Sequence, residues 1–166
     1  MGSLNESMRE YRAQLQKGVI QKAYKGLMET LTRLRSDLEK AHPEYGPASA
    51  LYFGYMDMSY FSLFPKKLKE RGLKIAVVYL HVEGRFEVWL SGANRKVGAE
   101  YWQLFHDSGW EKYRLVPSPK GSDSIIECII NADPDFDHPE TLNRQVDTAV
   151  VKFIDVIEGF LAEKNL

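Results

Sequence analysis

Residues 74–90 read KIAVVYLHVEGRFEVWL, and the way this stretch folds decides how the rest of the chain is placed. Both arms are rich in β-branched and aromatic residues, which suit a pleated, half-buried surface, and Gly84 between them can take the positive φ that a tight reversal needs. The stretch is read as a β-hairpin. Its loop length sets which side chains share a face, because a strand changes side at every residue. With Gly84 last in a three-residue loop, Val82-Glu83-Gly84, His81 faces Arg85 and positions of equal parity fall together. Ala76, Val78, Leu80, Val82, Phe86, Val88 and Leu90 then form a wholly apolar face, and Ile75, Val77, Tyr79, His81, Arg85, Glu87 and Trp89 a mixed one. A two-residue turn at Glu83-Gly84 would set Arg85, Glu87 and Trp89 beside the aliphatic residues of the first arm and bury two charges, so the odd-length loop is the expectation.

The 166 residues, 44% of them hydrophobic, suffice for one core without metal or disulfide staples. A single globular domain spanning 1–166 is expected, with residues 1–7 as a flexible start. Twenty-two Lys and Arg against 23 Asp and Glu leave a net charge of −1, so no bulk positive field draws polyphosphate and nucleic acid is not an expected partner. The lone Cys128 sits in an isoleucine-rich run and reads as a small buried hydrophobe. No apolar run reaches the ~20 residues of a spanning helix, and the first residues are too charged for a secretory peptide. The Met-Gly start lacks the Ser or Thr of a myristoylation signal, Glu6 standing at that position. A cytoplasmic protein with no membrane partner is the expectation.

Along the chain, Met8, Tyr11 and Leu15 share a stripe of a short helix that Gly18 interrupts. Ile20, Tyr24, Leu27, Leu31, Leu34 and Leu38 mark an amphipathic helix over about 19–41 that stops before Pro43. Residues 50–64, ALYFGYMDMSYFSLF, read as a strand with Gly54 as a bulge; counting by twos sets Tyr55, Asp57, Ser59 and Phe61 on one side. After the hairpin, Asn94 is a helix cap, residues 110–116 an edge strand, and residues 124–130 a strand covered on both sides. Leu142, Val146, Val150, Phe153, Ile157 and Phe160 mark a long helix over about 139–163.

The runs YFGYMDMSYF, LKIAVVYLHVEGRFEVWL, YWQLF, SIIECII and DPDFD resemble the pattern of a small bacterial and archaeal domain family that is itself uncharacterised. The likeness runs from Met8 to Leu161 and implies one compact domain. It assigns no activity to any residue.

The foremost site candidate is the mixed face of the hairpin, Tyr79, His81, Glu87 and Trp89, joined by Tyr55 and Asp57 of the preceding strand. A histidine beside a carboxylate is an acid/base arrangement, and the aromatics offer a floor for a planar ligand. The structural alternative puts that face under a helix or at a dimer contact, with His81 and Glu87 satisfying each other. Asp133, Asp135 and Asp137 with His138 have the atoms to hold a divalent ion. Their spacing instead suggests a capping box of Asp137 and Glu140 around Pro139, and no metal is assigned. The element order, with acids at Asp57 and Glu87, echoes the PD-(D/E)XK nuclease core, but Trp89 stands where that motif needs its lysine.

The expected fold is α+β, a mostly antiparallel four- or five-stranded sheet with two long helices packed on one face, the aliphatic one. Function is not assignable from these residues. The reading they favour is a binding or interaction module that uses the aromatic, His and Glu face of the hairpin. It would take a small-molecule ligand or a second copy of the chain, without a cofactor. The alternative is a degenerate PD-(D/E)XK-like nuclease or another metal-dependent enzyme.

Overall fold

The computed structural model describes residues 2–164. Five α-helices and five strands alternate in an α+β order: α1 (Leu4–Gln16), α2 (Val19–Ala41), β1 (Met58–Leu63), α3 (Lys66–Lys69), β2 (Leu73–Leu80), β3 (Arg85–Gly92), α4 (Arg95–Asp107), β4 (Arg114–Leu115), β5 (Ile126–Asn131) and α5 (Pro139–Glu163). The strands form one antiparallel sheet in the order β1-β2-β3-β5-β4, with the hairpin at its centre.

The hairpin loop is one residue longer than its sequence suggests, and this inverts the expected pairing of its faces. Leu80 pairs with Arg85, Val78 with Glu87 and Ala76 with Trp89. The loop therefore runs from His81 to Gly84, closed by the Gly84 N–H donating to the Leu80 carbonyl at 2.8 Å. Gly84 is last and left-handed as expected, with φ 66°. What differs is His81, whose N–H donates instead to the Asp57 carbonyl at 3.0 Å, a partner outside the hairpin. That bond draws His81 out of the ladder and makes the loop even in length.

One face of the sheet thus carries Ile75 and Val77 from β2, Phe86, Val88 and Leu90 from β3, and Phe61 and Leu63 from β1, all fully buried. On it lie α2, through Leu27, Leu31, Leu34 and Leu38, and α5, through Leu142, Val146, Val150, Phe153 and Ile157. The helical layer covers odd positions of β2 and even positions of β3, not even positions of both. Burying seven such side chains at about 1.5–3 kcal/mol each is the main stabilising term. Two polar contacts tie the helices together: His42 Nε2 to Asp147 Oδ1 at 2.6 Å, and Asn143 Nδ2 donating to Asp37 Oδ2 at 2.9 Å.

The opposite face carries Ala76, Val78 and Trp89, packed with Met58, Tyr60 and Leu80, and no helical residue belongs to that cluster. Two further readings are corrected. Residues 50–57 are not strand: Tyr52 makes an isolated bridge with Tyr60 alongside β1, after which the chain turns back through Gly54 and Met56, both at positive φ. Bending the chain there gives the free edge of β1 a partner. The start of α5 is not a capping box either. Its cap residue is His138 without a side-chain cap, and Asp135 binds the His138 ring at 2.6 Å. At the other end, Leu4 to Ser7 are the first turn of α1 rather than a loose leader. There Ser3 and Glu6 form the capping box; Met1 lies outside the described residues.

Candidate functional site

The six residues singled out from the sequence do not meet on one surface. Glu87 and Trp89 lie on the helix-free face, Tyr79 on the helix-covered face with His81 at its end, and Asp57 and Tyr55 in the turn before β1. Tyr55 is 91% exposed and touches the group only through its N–H, which donates to Asp57 Oδ1 at 2.9 Å. The reason is the parity change described above, since moving His81 into the loop rotates β3 relative to β2 by one side.

Around His81 the polar groups are satisfied in a way that opposes catalysis. Its Nε2 lies 2.8 Å from Ser59 Oγ, and the Ser59 hydroxyl donates to the Phe53 carbonyl. A hydroxyl has one proton, and this one is spent, so the ring must supply the hydrogen between the two and His81 carries a proton on Nε2. It therefore cannot take the Ser59 proton, and Ser59 is 0% exposed. Burial pushes the His81 pKa down, with the nearby Asp57 charge opposing. The Asp57 carboxyl is held below its usual value chiefly by the N–H groups of Tyr55 and Met58, with a smaller contribution from His81. Tyr24 and Tyr79 flank the imidazole at ring separations of 6.3 and 5.4 Å.

Glu87 does not pair with His81. It is 3% exposed, and its two oxygens accept from Arg85 Nε at 2.8 Å and from Trp89 Nε1 at 3.0 Å. Three alternate residues of β3 thus neutralise one another along the strand, which is how the two charges are tolerated beside Val78 and Leu80. Asp57 lies in the turn before β1, where it accepts from the Tyr55 N–H, and both oxygens of Glu87 are taken by Arg85 and Trp89, so the acid pair of a nuclease core is not assembled. Among the described residues no group of three or more His, Cys, Asp or Glu is placed to hold a metal ion.

The sheet's helix-free face forms the floor of a cleft of about 760 Å³. Ala76, Val78, Trp89, Met58 and Tyr60 line its bottom; Tyr52, residues 119–125 and the first turns of α4 form its walls. Residues 119–125 are held over the sheet by the Ile125 N–H donating to the Leu90 carbonyl at 2.7 Å and by Ser91 Oγ donating to the Asp123 carbonyl at 2.8 Å. Asn94 caps α4, accepting from the Val97 N–H at 2.9 Å. The helix presses on the end of β3, where a Cβ at Gly92 would come within 2.5 Å of the Gly98 nitrogen. Lys74, Arg95 and Lys120 line the cleft against one carboxylate, Asp123. None of the three cations is in an ion pair among the described residues. The Tyr60 phenol has its pKa raised by burial first, then by Tyr52 and Asp123. Of the six sequence candidates only Trp89 lines this cleft. Tyr60, Lys74, Arg95 and Lys120 were not singled out, because they come from four separate elements and share no motif.

The family model described as "Domain of unknown function (DUF7000)" matches residues 4–161. The chain belongs to that family. Membership agrees with the resemblance drawn from YFGYMDMSYF and the hairpin, and it transfers no activity. The matched region opens at the first residue of α1 and closes two residues before the end of α5, so every helix and strand described above falls within it or at its limit. No curated protein and no solved structure matches the chain. Among the described residues, no helix is long and apolar enough to cross a membrane.

Proposed function

We propose that the domain is a binding module that takes a planar, aromatic, negatively charged small molecule in the cleft on the helix-free face. The observation that carries this reading is the charge imbalance over an aromatic floor: three cations face one carboxylate around Trp89 and Tyr60, in a chain whose net charge is −1. Apolar rings at the bottom suit a flat ring system, while Lys74, Arg95 and Lys120 suit a carboxylate or phosphate held at the rim. The start of α4 carries no acidic residue in its first turn, so its N–H groups add to the positive potential there. Ser124 in the wall donates its hydroxyl to Glu127 Oε1 at 2.6 Å, but that carboxylate is already ion-paired with Arg114, so binding without chemistry is the reading taken.

A thermal-shift screen of nucleoside monophosphates and indole or benzoic carboxylates tests this. A member present at about 100 times its Kd stabilises the protein by roughly 2.7 kcal/mol, an easily read rise in Tm. The double variant Lys74→Ala, Lys120→Ala keeps its fold and loses the shift. If no aromatic anion moves Tm, or if the variant responds like the parent, the reading fails.

A further inference from the structure

The amphipathic helix α1 is covered only near its C-terminal end, where Gln14 and Leu15 are half-buried. No residue of α1 is buried, and its apolar side chains Leu4, Met8 and Tyr11 are half-exposed or more, as is Val19 at the head of α2. Its one side-chain hydrogen bond to α2 is Gln21 Nε2 donating to the Leu15 carbonyl, at the turn. The chain exposes 10263 Å², whereas a compact monomer of 19.1 kDa exposes about 8,400 Å². The surplus, roughly 1,900 Å², exceeds the ~800 Å² per partner that a stable interface buries.

A matching surface lies at the end of the sheet where the hairpin turns. Tyr55, Met56, Val82 and Phe136 are exposed there. Beneath Phe136, Tyr79 meets its ring at 5.9 Å and the His81 ring at 5.4 Å between ring centres. Carboxylates surround them: Asp57, Glu83, Asp133, Asp135 and Asp137, all exposed. Arg9 and Arg12 share one open face of α1 with Met8, Tyr11 and Leu15, and Glu6 and Glu10 do not line it. An apolar and basic helix face thus answers an apolar and acidic end of the same molecule.

We propose that α1 of each copy docks on the acidic, aromatic end of a second copy, making a two-fold dimer. In a two-fold pair the exchange is reciprocal, both helices and both receiving surfaces are used, and association stops at two chains rather than running on head to tail. This surface is separate from the cleft, so a dimer and a ligand-binding cleft stand or fall independently. The test is light-scattering mass on the full chain at tens of micromolar. The parent runs at twice the monomer mass at low salt and shifts toward monomer as salt rises. Tyr11→Glu, at a half-exposed position, and the pair Arg9→Glu, Arg12→Glu both give folded monomers. Adding Asp133→Lys and Asp137→Lys to the arginine pair restores the dimer. A parent that is monomeric at low salt overturns the proposal, including one that instead binds anionic lipid vesicles through α1. A Tyr11→Glu dimer, or no rescue by the lysines, overturns it equally.

Discussion

Replacing Glu87 by Gln asks how the hairpin tolerates charge on its second face. In the parent the carboxylate accepts from both Arg85 Nε and Trp89 Nε1 at 2.8 and 3.0 Å. An amide keeps one accepting oxygen and turns an N–H₂ toward the other donor, so one of the two N–H groups loses its partner. At 3% exposure Glu87 is shielded from water that would repair the loss. A hydrogen bond to a charged group contributes about 1.5–3 kcal/mol, and that is the expected cost. Arg85, 33% exposed, can turn outward to water, which holds the loss below that of a fully buried pair. For a chain of this size the cost is a fall in Tm of roughly 3–12 °C. Urea denaturation should show a lower midpoint at unchanged m. Trp89→Phe removes one of the donors, so the double variant should cost less than the two single changes added, with a coupling of about 0.5–3 kcal/mol. Additive costs, or a Glu87→Gln protein within about 0.5 kcal/mol of the parent, would refute the account of this face.

His81 makes stability depend on pH. Its folded pKa is depressed below the ordinary 6.5, so the unfolded chain takes up the proton first as pH falls. Stability is full above 6.5 and is lost as pH falls from there through the folded pKa. His81→Gln can keep a donor to Ser59, and its stability should run flatter over that range by urea midpoints; an unchanged slope would count against the burial of this imidazole. Asn94→Ala removes the cap of α4 and should cost about 0.5–2 kcal/mol in urea, an expectation that fails if the variant matches the parent. Gly92→Ala places a methyl against the Gly98 backbone, so α4 must shift. The variant should lose both stability and any ligand response of the cleft, and a retained response would show that the start of α4 is not part of the wall.

Much of the secondary structure is legible in the residues, because it rests on local pattern. The three- and four-residue spacing of leucines places α2 over 19–41, and the same spacing of valine, phenylalanine and isoleucine places α5 over 139–163, as found. Asn94 caps α4, and Gly84 closes the hairpin in the left-handed region. Propensity, capping and glycine geometry act over a few residues, so the sequence determined α2, α4, α5 and the two hairpin strands, whereas residues 50–57, read as strand, form a turn. It also determined that the hairpin lies at the heart of the fold.

Only tertiary structure decided which side of that hairpin meets the helices. The choice turned on the N–H of His81, which bonds to the Asp57 carbonyl twenty-four residues earlier in the chain instead of to its own ladder. One hydrogen bond from outside the hairpin lengthened its loop, and the period-two geometry of strands carried that single step to every side chain of β3. The cleft is tertiary in the same sense: its floor, rim and walls come from β1, β2, β3, α4 and residues 119–125, which no local pattern links.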